Sequence, residues 1–529
     1  MSCSKLAHHT TLLHEPSFSN PLSHTHHLQH FHQFQFIMAE EPPQNHDEVV
    51  VVVPTPEPDE EKKKPVTLGT HLSNSKLPES SETETTKVSD LPDTQNKALQ
   101  ELKNLIQEAL NNHHFSDSRK PQQPLPPVKK TENKEEEKKD EGGEDLKETA
   151  VVAVPTIDDD GAKTLEAIEE TVVAVSTTEN SQPPAHKEEV SIWGVPLLAD
   201  ERSDVILLKF LRARDFKVKD AFSMMKNTIR WRKDFGIDDL MEENLGCHEL
   251  DKVVFMHGFD KEGHPVCYNI FGEFEDKELY KNTFSDEEKR QRFLRWRIQL
   301  LEKSIRNLDF KPASISTIVQ VNDLNNSPGL AKWELRQATK EALHLLQDNY
   351  PEFAAKQVFI NVPWWYLAVN RMISPFLTQR TKSKFVFAGP SKSAETLLRY
   401  ISAEQLPVKY GGLSKEGEFG NSDAVTEITV KPATKHTVEF PVTEKCLLSW
   451  ELRVIGWEVS YGAEFVPSSE GSYTVIIQKA RKVASSEEPV FCNSFKIGEA
   501  GKVFLTIDNP TSKKKKLLYR FKAKTDPSD

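Results

Sequence analysis

The chain has 529 residues, enough for two or three domains, and a net charge of -13 that is unevenly spread. Residues 39–190 carry about -17 and residues 191–529 about +4, so an acidic tail precedes a mildly basic remainder. The acidic tail argues against generic nucleic-acid binding, while the basic remainder suits an anionic membrane surface. Cys3, Cys247, Cys267, Cys446 and Cys492 show no paired spacing, which fits a reducing cytosol better than a secreted disulfide scaffold. The most apolar stretch, residues 358–377, contains Asn361, Pro363, Asn370, Arg371 and Pro375, so it does not read as a bilayer span and any membrane contact is expected to be peripheral.

Residues 1–37 are rich in His, Ser and Phe without a signal-peptide core. Met38-Ala39-Glu40-Glu41-Pro42 reads as a second start, which makes the first segment an upstream extension. Residues 39–86 have a Pro, Glu, Lys, Thr and Ser composition that reads as disordered, and residues 1–92 are expected together to form a disordered acidic tail. Over residues 93–115 the pattern turns helical, with Asp93 as N-cap and Leu99, Leu102, Leu105, Ile106, Ala109 and Leu110 on one face. This helix lacks a basic polar face, so docking onto a folded domain is favoured over membrane binding.

Residues 116–190 return to an acidic, disordered composition. Within them Glu148-Thr149-Ala150-Val151-Val152-Ala153-Val154 is echoed by Glu170-Thr171-Val172-Val173-Ala174-Val175, a duplication too short for a solenoid. Order resumes near Trp193 with two helices joined around Asp215-Phe216-Lys217-Val218, forming residues 191–240. Residues 241–415 then read as α/β. They open with a hairpin turning at Asp260-Lys261-Glu262-Gly263 and a helix begun by a capping box at Ser285. Strands are expected at 315–321, 358–362 and 384–388, with helices at 329–348, 364–376 and 394–401 between and after them. From residue 416 to 526 the period changes to two, as in Leu448, Trp450, Leu452 and Val454, which indicates an antiparallel sandwich separate from the α/β part.

No Gly-x-Ser-x-Gly elbow, phosphate-cradling glycine loop or paired cysteine site is present, so an enzyme is not expected. His257 and His264 flank the hairpin turn without further ligands at usable spacing, so no metal is expected. The helix after Pro363 places Trp365, Ala368, Val369, Met372 and Phe376 on one face, led by Trp364. Periodicity alone leaves a pocket lid and ordinary core packing equally open. Glu352 before one strand and Lys384 opening the next supply a charged floor to that stretch. Lys513, Lys514, Lys515 and Lys516 form a basic run that suits an anionic leaflet, at on the order of 1 kcal/mol per residue near the surface.

Leu211-Arg212-Ala213-Arg214, Tyr350-Pro351-Glu352, Thr381-x-Ser383-Lys384 and Leu406-Pro407-Val408-x-Tyr410-Gly411-Gly412 resemble the CRAL-TRIO lipid-binding and phosphatidylinositol-transfer proteins. With the acidic tail and a C-terminal sandwich similar to a GOLD domain, the chain resembles the plant patellins. The resemblance implies that the helix at 93–115 belongs to an N-terminal helical subdomain, with 116–190 as a long insertion within it. It also implies a bound phospholipid in place of a cofactor, most naturally a phosphoinositide, with its headgroup held by Arg214, Glu352, Thr381 and Lys384 and its chains behind the 364–376 gate. One departure is that Asp215 stands where the family carries a basic residue. The implied role is a cytoplasmic, peripheral carrier or sensor in membrane trafficking, including cell-plate formation in cytokinesis, with protein partners on the sandwich. A scaffold with a vestigial pocket, and a carrier of another hydrophobe such as a tocopherol, are the competing readings.

Overall fold

A computed structural model describes residues 86–116, 188–328, 332–364, 383–443, 445–456, 458–483 and 489–525. The N-terminal segments at 1–85 and the remaining gaps, including most of the expected gate, lie outside the described residues.

Helix α1 (Asp93–Asn111) buries Ala98, Leu99, Leu102, Ile106, Ala109 and Leu110, a stripe at three- and four-residue spacing. Asp93 is not the N-cap expected from sequence. Pro92 holds that position and Asp93 is the first helical residue, where its charge favours the positive helix end. The stripe packs on α2 (Glu201–Ala213) and α3 (Val218–Phe235), which follow a two-stranded ribbon of β1 (Ser191–Ile192) and β2 (Val195–Pro196). Lys103 adds an ion pair to Asp204 at 2.8 Å.

The two ends of the intervening segment meet. The Phe115 amide donates to the Glu188 carboxylate at 3.0 Å, and Ser116 also hydrogen-bonds that carboxylate. The Glu188 amide in turn donates to the Leu110 carbonyl at 3.3 Å. Ser116 and Glu188, the described residues on either side of that segment, therefore lie together on the helical subdomain.

Helix α4 (Ile237–Glu242) leads into β3 (Val254–Phe259) and β4 (Pro265–Ile270), the expected hairpin. Helices α5 (Lys277–Phe284) and α6 (Glu287–Arg306) follow. The cap of α6 is Asp286, accepting from the Lys289 amide, rather than Ser285. After β5 (Ile318–Asp323), α7 (Trp333–Asn349) and β6 (Ala354–Ile360) come β7 (Phe385–Phe387) and α8 (Ser393–Tyr400). The sheet order is β3-β4-β5-β6-β7, with β3 antiparallel to β4 and the other pairings parallel. Parallel pairing follows from helical crossovers, which carry the chain back to the same sheet end.

A buried charge network locks the helices together. Arg232 on α3 forks onto Glu302 of α6 at 2.5 and 3.0 Å, and the Tyr350 hydroxyl donates to the same carboxylate at 2.7 Å. Because Glu302 is wholly buried, removing one partner leaves an uncompensated charge, at about 3–5 kcal/mol.

The C-terminal strands form two packed sheets. One has the order β13 (Phe491–Ile497), β10 (Cys446–Ile455), β15 (Lys515–Thr525), β8 (Thr426–Val430). The other has β12 (Val475–Lys482), β11 (Ser460–Pro467), β14 (Gly501–Asn509), β9 (Thr434–Val442). All their pairings are antiparallel. Between the sheets lie Leu448, Trp450, Leu452 and Val454, as the period-two pattern predicts, and the Trp450 indole donates to Tyr461 at 3.0 Å.

The sandwich packs against the α/β part. Ser449 and Glu451, which alternate with the inward stripe of β10, are also buried. Arg520 of β15 forks onto Glu451 at 2.8 and 2.9 Å and donates to the Leu413 and Gly420 carbonyls at 2.9 and 2.8 Å. Arg453 donates to Val408 and Gly412 carbonyls at 2.6 and 3.0 Å. Sequence alternation marks polar residues but does not say whether water or another domain satisfies them. The Leu-Pro-Val-x-Tyr-Gly-Gly motif is this seam. Gly411 has φ of 105° and packs so closely on Ala394 that a Cβ would collide with it.

Candidate headgroup site

The Tyr350-Pro351-Glu352 turn delivers a carboxylate to the start of β6. Glu352 has φ of 53°, uncommon for a residue with a Cβ, so the surrounding structure must hold it there. Lys209 of α2 does part of that. It is 3 % exposed, and its ammonium donates to the Glu352 carbonyl at 3.0 Å and the Ser316 carbonyl at 2.8 Å, 4.4 Å above the Phe353 ring. The Glu352 carboxylate meets the Lys384 ammonium at 2.6 Å, joining the ends of β6 and β7. These two predicted site residues, 32 apart in sequence, thus form one ion pair.

The pair lines a cavity of about 570 Å³. Around it stand Lys209 and Arg212 from α2, Lys356 from β6, and Asp260, Glu262 and His264 from the β3–β4 turn. Thr86 and Lys87, just before α1, form part of the wall, and the Ala313 amide donates to the Thr86 hydroxyl at 2.7 Å. Asp260 accepts from the Glu262 and His264 amides at 3.0 and 2.8 Å and faces the His264 ring at 3.1 Å. Burial opposes ionisation of Asp260, but the His264 ring and the turn amides prevail and hold its carboxyl below the usual range. Asp260, Glu262 and His264 lie within 4.8 Å of one another. The hydrogen bonds that close the hairpin turn account for the Asp260–His264 approach without an ion. His257 does not join them, since its Nε2 meets the Ser414 hydroxyl at 2.8 Å, and burial pulls its pKa down.

Arg214 is not among the lining residues. Helix α2 ends at Ala213, and Arg214 at the C-cap turns its guanidinium to the Ala213 carbonyl at 3.0 Å. Burial pulls Arg214 below the ordinary arginine range, partly offset by Asp348, Asp220 and Asp215. Arg212 lies three residues after Lys209 and therefore on the same helix face, which is why it reaches the cavity. Helical phase was the signal that separates the two arginines. Asp215 is exposed in the α2–α3 turn at φ of 49° and also does not line the cavity, so its charge does not face the site directly. Lys209, Arg212 and Lys356 were missed by sequence reasoning because charge pattern alone does not show burial.

Thr381, Trp365, Ala368, Val369, Met372 and Phe376 lie outside the described residues. Trp364 lies at the last described position before them and is 80 % exposed. The chain reaches it through a pinned turn. The Asn361 amide donates to Ser393 at 2.9 Å and its side chain donates to Asp323 at 2.7 Å. Beside this exit the rings of Phe359, Phe385 and Phe387 stack at 5.1–6.3 Å. Among the described residues no helix is long and apolar enough to cross a membrane.

The basic run is corrected. Lys513 and Lys514 are exposed, but Lys515 is buried and donates to the Gly456 carbonyl at 2.6 Å, and Lys516 pairs with Glu427 at 2.9 Å. Strand β15 begins at Lys515, so alternation turns that side chain inward.

An arrangement of cations, carboxylates and carbonyls around a cavity of this size can hold a phosphorylated polyol, with ammonium and guanidinium groups on phosphate and carboxylates on hydroxyls. Comparison with known proteins agrees with the architecture. Residues 250–412 match the CRAL/TRIO domain, residues 154–227 the CRAL/TRIO N-terminal domain, and residues 431–515 the Patellin-1-like C-terminal GOLD domain. Patellin-5 of Arabidopsis thaliana is 67 % identical over 339 residues, 63 % of this chain and 51 % of that protein. Patellin-3 of the same plant is 55 % identical over 446 residues, 83 % of this chain and 77 % of that protein. The SEC14 cytosolic factor of Eremothecium gossypii is 34 % identical over 236 residues, 41 % of this chain and 71 % of that protein. The chain thus spans about half the length of Patellin-5 and over three quarters of Patellin-3. It belongs to the patellin family.

Proposed function

We propose that this protein is a non-enzymatic lipid carrier or sensor that takes a phosphoinositide, headgroup first, into the cavity floored by Lys384 and Glu352. The observation that carries the reading is the gathering of five cations, Lys87, Lys209, Arg212, Lys356 and Lys384, and four carboxylates, Asp90, Asp260, Glu262 and Glu352, around one cavity. A lining so rich in charge, with one cation in excess, suits a phosphorylated polyol better than a neutral hydrophobe such as a tocopherol. A relative at 29 % identity is named a phosphatidylinositol transfer protein, which supports the same ligand class. Residues 364–376 are the proposed gate for the acyl chains. Lys513 and Lys514 are the proposed basic contact of the sandwich with a cytoplasmic anionic leaflet, and the sandwich would also bind protein partners. On this reading the protein acts peripherally in membrane trafficking, including cell-plate formation.

The test is to identify the lipid that co-purifies with the full chain, and to measure sedimentation with phosphatidylcholine vesicles with and without a phosphoinositide. A phosphoinositide in the extract and vesicle binding that depends on it are expected. A neutral lipid in the extract, or equal binding to both vesicles, would refute the proposal.

A further inference from the structure

Strand β12 is an edge strand, paired only with β11 among the described strands. Its exposure is unusual. Tyr473, Val475 and Ile476 are 90, 44 and 68 % exposed, three of the eight large apolar residues so exposed among the described residues. Lys479, Arg481 and Lys482 follow on the same strand and are exposed. The strand thus runs from apolar to basic, with one side of its backbone ladder open. An open, apolar edge is a template for another strand, and basic residues on it select against basic partners.

The sequence contains a segment with the complementary order. Asp47-Glu48-Val49-Val50-Val51-Val52-Val53 runs from acidic to apolar, and its five valines are strand-forming. Laid antiparallel to β12, its valines meet Val475, Ile476 and Ile477 while Asp47 and Glu48 meet the Lys479–Lys482 end. The parallel arrangement sets carboxylates against the apolar end and valines against the lysines, and gains nothing. Residues 54–85 separate Val53 from Thr86, where the described chain begins. Fully extended, that stretch spans about 100 Å, enough to reach across folded domains of this size.

We propose that residues 47–53 of the acidic tail add as an antiparallel strand to the open edge of β12. The tail thereby covers the exposed edge of the sandwich in cis, by main-chain hydrogen bonds with charge setting the direction. This does not depend on the lipid reading.

Hydrogen exchange of the full chain, followed on peptides covering 472–482, tests it. Replacing residues 47–53 by a Gly-Ser segment of equal length is expected to speed exchange of outward-facing β12 amides by about tenfold or more. Asp47→Lys with Glu48→Lys is expected to do the same. Adding Lys479→Glu, Arg481→Glu and Lys482→Glu is then expected to restore protection. Exchange unchanged by the Gly-Ser replacement overturns the proposal. So does protection that falls on dilution, which assigns the strand to a second copy, or protection that is lost only when 148–175 is replaced, which assigns it to the related valine-rich segments there. Binding of β12 to anionic vesicles that residues 47–53 do not inhibit also counts against it.

Discussion

The two arginines of the Leu-Arg-Ala-Arg motif provide a direct test of the site. Arg212 lines the cavity and Arg214 does not, although both match the same short motif. Arg212→Ala removes a guanidinium from a partly enclosed site, where a charge-assisted hydrogen bond to phosphate contributes about 1.5–3 kcal/mol. That corresponds to roughly a tenfold to 150-fold weaker phosphoinositide affinity. Arg214→Ala removes a side chain held at the end of α2 by the Ala213 carbonyl and three nearby aspartates. Its effect on affinity is expected to stay within about threefold, or roughly 0.6 kcal/mol. Both variants are measured by titration into vesicles of phosphatidylcholine with and without the phosphoinositide, with circular dichroism confirming the fold. Equal losses for the two, or a larger loss for Arg214→Ala, would refute the assignment of Arg212 to the cavity.

Further expectations follow from other contacts. Glu451→Ala strands Arg520, which is 2 % exposed, and should destabilise the sandwich by about 3–5 kcal/mol in chemical denaturation, with loss of its coupled unfolding with the α/β part. Replacing residues 117–187 by a short Gly-Ser linker should leave the melting temperature and far-ultraviolet spectrum nearly unchanged, because Ser116 and Glu188 already touch. Lys515→Ala should lower stability, while the Lys513→Ala, Lys514→Ala double variant should not, and only the double variant should weaken binding to anionic vesicles. Asp260 has a depressed folded pKa, so its stabilisation is present above the unfolded carboxylate value and is lost as pH falls through the folded one. Asp260→Asn should therefore flatten the acid side of the stability profile measured by chemical denaturation across pH.

The order of domains was legible from the chain. Period-two alternation marks β10, and a three- and four-residue stripe marks α1, because each pattern is the imprint of one buried face. Element edges were less so. The strand expected at 358–362 begins at Ala354, and Asp286 rather than Ser285 caps α6, since neighbouring polar residues compete for one capping position. The lining of the candidate cavity was half legible. Glu352 and Lys384 were found through short motifs, and the structure brings them to 2.6 Å. Lys209 was not found, because a lysine inside an apolar helix stripe reads as a solvated charge until its carbonyl partners are known.

Sequence alone thus determined the family, the acidic tail, the helical, α/β and all-β segments, and the carboxylate and lysine at the strand ends. These are local or motif-borne properties. Only the tertiary structure decided that Arg212 rather than Arg214 reaches the cavity, and that Lys515 is buried while Lys513 and Lys514 remain exposed. It also decided that Glu451 and Arg520 form a seam between domains. The reason is the same in each case. A charged side chain carries its chemistry in the sequence, but its partner and its exposure are set by chain segments far away.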